Sequence, residues 1–197
     1  MGGGTLNKFA VVFLIFSTAG CAFIDQNLQV SPQVSVVETN VGHGKKVALR
    51  VVDDREEQLI GKRGASSGYG AGLAKINTDQ DLAEVVKSAV LEGMRKKGFQ
   101  PVGENDATVG LKVTLRTLSY DSSAGLWTQG NIGKAAVKLV ASQASGKTYE
   151  KTYRGQQEIR TAFVGSQETN AKVVNGALND MLEKVFADTE LWSFLAQ

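Results

Sequence analysis

The sequence predicts one α+β domain, a two-layer sandwich with two helices packed on one face of a mainly antiparallel sheet. Apolar residues recur at helical spacing in two segments, 82–94 and 174–186. Between them, apolar and polar residues alternate, as in strands that bury one face. The order along the chain is β-α-β-β-β-α, which places both helices on the same side of the sheet.

The first predicted strand of the domain is "KVALRVVD", Lys46 to Asp53, and it is apolar enough to be central in the sheet. A glycine-rich stretch, Gly61 to Gly72, follows it. The spacing of its glycines matches neither a Walker loop nor a dinucleotide-binding fingerprint. We therefore interpret this stretch as a surface loop or hairpin.

The first helix has clear start and stop signals. Thr78 with Asp81 has the form of a capping pair, and the apolar stripe runs from Leu82 to Met94. Three basic residues at 95–97 suit a helix C-terminus, and Gly98 supplies the stop.

The rest of the sheet is predicted from alternation. One strand runs from Val109 to Arg116, a loop follows at 121–131, and the next strand includes residues 134–142. Ser145-Gly146 is typical of a turn, which pairs this strand with 148–160 as a hairpin. The second helix is predicted to begin at Ser166 or Gln167.

The N-terminus has the layout of a signal peptide. Lys8 is followed by an apolar run at 9–16 that is too short to span a bilayer, and then by "STAGCA". Residues 18–21 resemble a bacterial lipobox, which would make Cys21 a lipidated N-terminus after cleavage. The alternative is an ordinary secretory signal that leaves Cys21 as a free thiol. Ala22, where an Asp would favour the inner membrane, favours the outer membrane.

These signals divide the chain into three parts. Residues 1–20 are predicted to be a lipoprotein signal peptide, and residues 21–40 a lipid-anchored tether with an edge strand around Val34, Val36 and Val37. Residues 41–197 are predicted to form a single periplasmic domain. The 177 residues that remain after cleavage are enough for one domain with a proper core.

Composition excludes several classes of function. The mature chain has 21 basic and 20 acidic residues, so it lacks the basic excess that nucleic-acid binding needs. One Cys and one His, His43, exclude a metal site built on those residues, and no cofactor is predicted. We expect His43 to be a solvated loop residue. Four carboxylates, Asp53, Asp54, Glu56 and Glu57, could bind a hard cation or act as an acid/base pair, but nearby arginines and lysines favour a mutually neutralised cluster.

Several short motifs carry a resemblance to a known family. They are Cys21-Ala22, Val30-Ser31-Pro32, Asp53-Asp54-Arg55, Asp81-Leu82 with 85–99, and Tyr153-Arg154 leading to Ala162-Phe163. With them the chain resembles the YajG family of uncharacterised bacterial lipoproteins along nearly its whole length. The resemblance implies a periplasmic domain anchored in the outer membrane, and none of the motifs is a catalytic signature.

The function predicted from these features is contact rather than catalysis. We expect a non-enzymatic accessory or structural subunit that is held to the membrane through Cys21 and binds a protein partner in the cell envelope. Candidate contact residues are Tyr69, Trp127, Trp192 and Phe194, although the C-terminal stretch 191–195 is also expected to fold back as a short helix. The alternatives are a binding module for a lipid, glycan or peptidoglycan fragment and, third, an envelope hydrolase using Asp53, Asp54 or Glu57.

Overall fold

The computed structural model describes residues 24–63, 74–124, 128–162 and 165–197. The predicted signal peptide, Cys21, Tyr69 and Trp127 lie outside the described residues. In the part of the chain that is described, no helix is both long enough and apolar enough to cross a membrane.

The described chain contains eight strands and three α-helices. The strands are β1 (Gln26–Asn27), β2 (Lys46–Asp53), β3 (Gly61–Arg63), β4 (Ala74–Asn77), β5 (Gln100–Val102), β6 (Val109–Ala124), β7 (Gln129–Gln143) and β8 (Thr148–Thr161). The helices are α1 (Leu82–Lys96), α2 (Gln167–Ala187) and α3 (Thr189–Ala196), and a 3-10 turn covers Glu104–Asp106.

All eight strands form one sheet that is organised around β6. On one side β6 pairs along its length with β7, which pairs with β8, and both pairings are antiparallel. On its other side β6 pairs in parallel with β2 in its first half and with β3 near Tyr120. Strand β5 extends the sheet beyond β2, while β4 and β1 extend it beyond β3.

Both long helices cover the same face of the sheet. The buried side chains of β2, β6 and β7 point toward this face, as the alternation predicts. The backbone of α2 lies very close to two glycines of the sheet, Gly155 of β8 and Gly133 of β7. A Cβ on Gly155 would lie 2.1 Å from the carbonyl oxygen of Ala177, and one on Gly133 would lie 2.5 Å from that of Val173, so neither position has room for a side chain. The two long helices also pack against each other, because the ring of Phe186 of α2 lies directly against Gly93 of α1.

The predicted fold class is confirmed, including the central position of the first strand and the start of the second helix. Lys46–Asp53 lies between β5 and β6, and Ser166 caps α2 by accepting a hydrogen bond from the backbone N–H of Thr169. The hairpin turn at Gly146 has a φ of 82°, which glycine adopts without strain.

Two local predictions were wrong. The loop expected at 121–131 is largely strand, because β6 and β7 continue their pairing as far as Ala124 and Gln129. The cap of α1 is Asp81 itself, whose carboxylate accepts from the backbone N–H groups of Ala83 and Glu84. Thr78 instead bonds to Gln80.

The N-terminal segment at 28–39 runs along the two long helices without strand pairing. The edge strand lies earlier than expected, at β1, which pairs in parallel with β4. Leu28 and Val30 are buried in the core, and Val34 and Val36 pack against it. The backbone N–H groups of Ser31 and Gln33 donate to the side chains of Asn175 and Asn179 of α2, at 2.7 and 2.8 Å.

Candidate binding surface

The C-terminal stretch folds back as helix α3 at the end of the domain where α1 and α2 terminate. Asp188 begins α3, since its Oδ1 accepts from the backbone N–H groups of Glu190 and Leu191. Leu191 and Leu195 are fully buried and fix the helix on the core.

Trp192 is the centre of an aromatic cluster at this end. Its ring stacks on Phe186 with centroids 6.0 Å apart and lies 5.7 Å from the ring of Phe99. Its Nε1 donates to the carbonyl oxygen of Val185 at 3.1 Å, so the one polar atom of the indole is satisfied. With only 2 % of its surface exposed, Trp192 stabilises the fold.

A buried carboxylate fixes α3 to the sheet. Oδ2 of Asp188 accepts from the hydroxyls of Tyr149 and Tyr153, at 3.0 and 2.8 Å, and from Nζ of Lys151 at 2.5 Å. Burial alone would raise the pKa of Asp188, but the hydrogen bonds from Lys151, the Leu191 amide and the two tyrosines outweigh it. The pKa therefore lies well below its usual range, and Asp188 is ionised in the folded protein.

An apolar groove lies between the N-terminal segment and the α2–α3 junction, and we call it the α3 groove. It has a volume of about 520 Å³, and its apolar lining comes from Val37, Val41, Phe186, Ala187 and Trp192. Lys97 and Glu183 stand at its rim. Val37, at the edge of the groove, is 74 % exposed.

The predicted contact residues are distributed unevenly around this groove. Trp192 contributes to its lining, whereas Phe194 is half-buried on the sheet side of α3, with its ring 5.9 Å from that of Tyr149. Tyr69 and Trp127 lie outside the described residues. The sequence does not identify Val37 or Val41 as contact residues, because the pattern at 34–37 predicts an edge strand and does not separate the half-buried Val34 and Val36 from the exposed Val37.

Two of the four carboxylates at the end of β2 are held in ion pairs, whereas Glu56 and Glu57 are exposed. Asp53 binds the Arg55 guanidinium at 2.9 Å, and Asp54 pairs with Arg116 of β6. No group of three metal-ligating side chains occurs within residues 24–63, 74–124, 128–162 and 165–197. His43 is exposed in the turn before β2, with a φ of 45°.

The fold and the predicted lipobox together define a class of protein, a lipoprotein whose folded part is an α+β domain. The chain matches the model of a family described as uncharacterized lipoprotein over residues 32–196. It belongs to this family, the YajG family of lipoproteins, as its motifs indicated. Membership makes it a membrane-anchored protein of the cell envelope.

Individual relatives support the same assignment. The chain is 25 % identical to the uncharacterized lipoprotein YajG of Escherichia coli K12 over 184 residues, which cover 93 % of both chains. The YajG protein of E. coli O6:H1 matches with the same identity and coverage. Among solved structures, protein XCC0632 from Xanthomonas campestris has a similar fold, with a TM-score of 0.52, 12 % identity, and coverage of 87 % of this chain and 96 % of that one.

Proposed function

We propose that this protein is a non-enzymatic accessory subunit of an envelope assembly, anchored in the outer membrane by acyl chains on Cys21 and facing the periplasm. The observation that carries the contact role is the α3 groove with Val37 exposed at its edge. A groove with an apolar lining and a charged rim suits apolar side chains of a protein partner.

Because the acyl chains supply the affinity for the membrane, the folded domain is free to bind a protein partner. Two or more acyl chains on Cys21 would make that anchoring stable, whereas a single chain gives marginal binding. Ala22 is the residue that favours the outer membrane over the inner one.

The construction of the groove also fits a contact surface. Its floor is made of core aromatic rings, which are already held by packing and by the bond from Trp192 Nε1 to Val185. A rigid floor loses little conformational entropy when a partner binds. Val37 can therefore add apolar contact area at little ordering cost.

Catalysis is not part of the proposal. Asp53 and Asp54, two of the candidate acid/base residues, are each neutralised by an arginine, and the single histidine is a solvated turn residue. This arrangement is typical of structural and surface ion pairs rather than of a general base.

The test is site-specific photo-crosslinking in the cells that make the protein. A photoreactive amino acid is placed at Val37 and, as a matched control, at Thr152, which is exposed on the uncovered face of the sheet. We expect a discrete protein adduct from position 37 and none from position 152.

Two results would contradict the proposed contact. Equal adduct patterns from both positions would mean that the groove has no partner of its own. A small molecule retained in the groove through purification, with no protein adduct at position 37, would favour the ligand-binding module instead.

A further inference from the structure

The described chain begins at one end of the domain, beside the hairpin of β3 and β4. The carbonyl oxygen of Ile24 accepts from Nη2 of Arg63 at 2.8 Å, and Oδ1 of Asp25 accepts from the backbone N–H of Lys75 at 2.7 Å. The chain is therefore attached to the domain from Ile24 onward. Only two residues, Ala22 and Phe23, separate this attachment from Cys21.

This short connection limits how far the domain can lie from the anchor. Consecutive Cα atoms are 3.8 Å apart, so a connection of three residues from position 24 back to position 21 can reach at most about 11 Å. The segment after Ile24 cannot lengthen the tether without breaking its contacts. Gln26, Leu28 and Val30 are buried, and the backbone N–H of Thr39 donates to the carbonyl oxygen of Lys96 at 2.9 Å.

Two lysines stand side by side on the strands next to this entry point. Lys62 of β3 is directly opposite Lys75 of β4, and both side chains are exposed on the sheet face that the helices do not cover. Like charges in directly opposed positions repel each other. Within the described residues, no carboxylate forms an ion pair with either lysine.

Ile24, two residues before β1, is 60 % exposed. An exposed apolar side chain at the entry point, together with two ammonium groups on the neighbouring strands, supplies the two features by which peripheral proteins contact a lipid interface, apolar insertion and attraction to phosphate. If Cys21 is acylated, the short connection to it brings a lipid interface within reach of this end of the domain.

We propose that the surface formed by Ile24, Lys62 and Lys75 rests on the phosphate headgroups of the membrane that holds the acyl chains. This inference depends on the proposed acylation of Cys21 and adds a fixed orientation to it. Lipid phosphates supply counter-charge to these two exposed lysines. The α3 groove lies at the opposite end of the domain and is directed away from the membrane.

The two ends are far enough apart for the orientation to be measured. Strand β7 runs from the entry end at Gln129 to the opposite end at Gln143, and 15 extended residues span roughly 45 Å. Glu168, at the start of α2, marks the entry end, because its neighbour Gln167 donates to the carbonyl oxygen of Asn27. Ser145, in the turn between β7 and β8, marks the opposite end.

The experiment uses the acylated protein reconstituted in vesicles of phosphatidylethanolamine and phosphatidylglycerol with an acceptor dye on the headgroups. Because Cys21 is the only native cysteine, Glu168→Cys and Ser145→Cys each introduce a single free thiol for a donor dye. We expect strong energy transfer to the membrane from position 168 and weak transfer from position 145. Equal transfer from the two positions would overturn the orientation.

A pair of double variants tests the lysines. Each lysine contributes about a fivefold preference for an anionic surface, so Lys62→Gln with Lys75→Gln should lower the ratio of bound to unbound orientations by roughly 25-fold and reduce transfer from position 168. The matched control, Lys112→Gln with Lys147→Gln, removes two exposed lysines elsewhere and should leave transfer unchanged. The same effect in both double variants would contradict the role of Lys62 and Lys75.

The mass of the N-terminal peptide distinguishes a failure of the proposed anchoring from a failure of the proposed orientation. If Cys21 carries no lipid, the proposed anchoring fails and this orientation fails with it. If Cys21 is acylated and the two labels give equal transfer, the anchoring stands and the orientation alone is wrong.

Discussion

At the scale of single residues, the carboxylate of Asp188 joins helix α3 to strand β8. It caps α3 with one oxygen and binds Tyr149, Tyr153 and Lys151 of β8 with the other. Burial raises the pKa of the Tyr153 hydroxyl, which therefore stays protonated and donates to Asp188 at any ordinary pH. The carboxylate thus links the helix cap to the sheet.

Replacing Asp188 should destabilise the domain. Asp188→Asn removes a charged acceptor from several hydrogen bonds, and we expect it to lower the free energy of unfolding by roughly 1.5–3 kcal/mol at pH 7. Urea unfolding measures this change. The control is Asp54→Asn, which breaks an ion pair whose side chains are more than half exposed and should cost less than about 1 kcal/mol. Equal losses in the two variants would contradict the role given to Asp188.

The contribution of Asp188 should also depend on pH. Its pKa is lower in the folded chain than in the unfolded chain, so its stabilisation is complete above the ordinary carboxyl pKa of about 4 and is lost as the pH falls toward the lowered value. The stability difference between wild type and Asp188→Asn should therefore shrink below about pH 4. A difference that grows on acidification would contradict the lowered pKa.

Trp192 and Val37 line the same groove, but truncation should cost much more stability at Trp192 than at Val37. Trp192→Ala removes a buried ring and should lower the free energy of unfolding by about 3–5 kcal/mol. Val37→Ala changes an exposed side chain and should alter it by no more than about 0.5 kcal/mol. Urea unfolding of both variants checks this, and a large loss from Val37→Ala would mean that this valine belongs to the core.

At the scale of secondary-structure elements, the position of α2 on the sheet depends on glycine. The backbone of α2 lies directly over Gly155 of β8, where a Cβ would be 2.1 Å from the carbonyl oxygen of Ala177 and 2.4 Å from the amide nitrogen of Met181. Both are backbone atoms, so no side-chain rotation relieves the clash. The helix would have to move as a unit.

Gly155→Ala should therefore destabilise the domain by about 1–3 kcal/mol or more. Gly110→Ala is the control in the same sheet, because a Cβ there meets only the Ser142 hydroxyl, at 3.1 Å. Thermal unfolding of the two variants compares them. A midpoint for Gly155→Ala that equals that of Gly110→Ala would contradict the close packing of α2 on the sheet.

At the scale of the whole molecule, the sequence predicts the parts that follow regular periodicity. Alternation in Leu111, Val113 and Leu115 identifies the face of β6 that meets the helices, and the stripe from Leu82 to Met94 identifies α1. The fold class follows from these patterns, because the apolar stripe of the helix and the apolar face of the sheet are buried against each other.

Sequence patterns do not predict the features that depend on long-range contacts. Residues 28–39 are polar with scattered valines, which is the composition of a tether. In the structure their backbone is hydrogen-bonded by Asn175 and Asn179 of α2, which lie about 145 positions later in the chain. The α3 groove exists because this segment lies beside α3. The predicted contact residue Trp192 could be identified from its type, but its burial by Phe99 and Phe186 could not.

The state of Cys21 decides whether the protein is anchored to a membrane. The measurement is membrane fractionation of the native protein and of Cys21→Ser, with intact mass determination of both from the cells that make them. We predict that the native protein is in the membrane fraction and begins at an acylated Cys21, and that Cys21→Ser is released from the membrane. A native protein that is soluble and carries an unmodified thiol at Cys21 would contradict the anchored function.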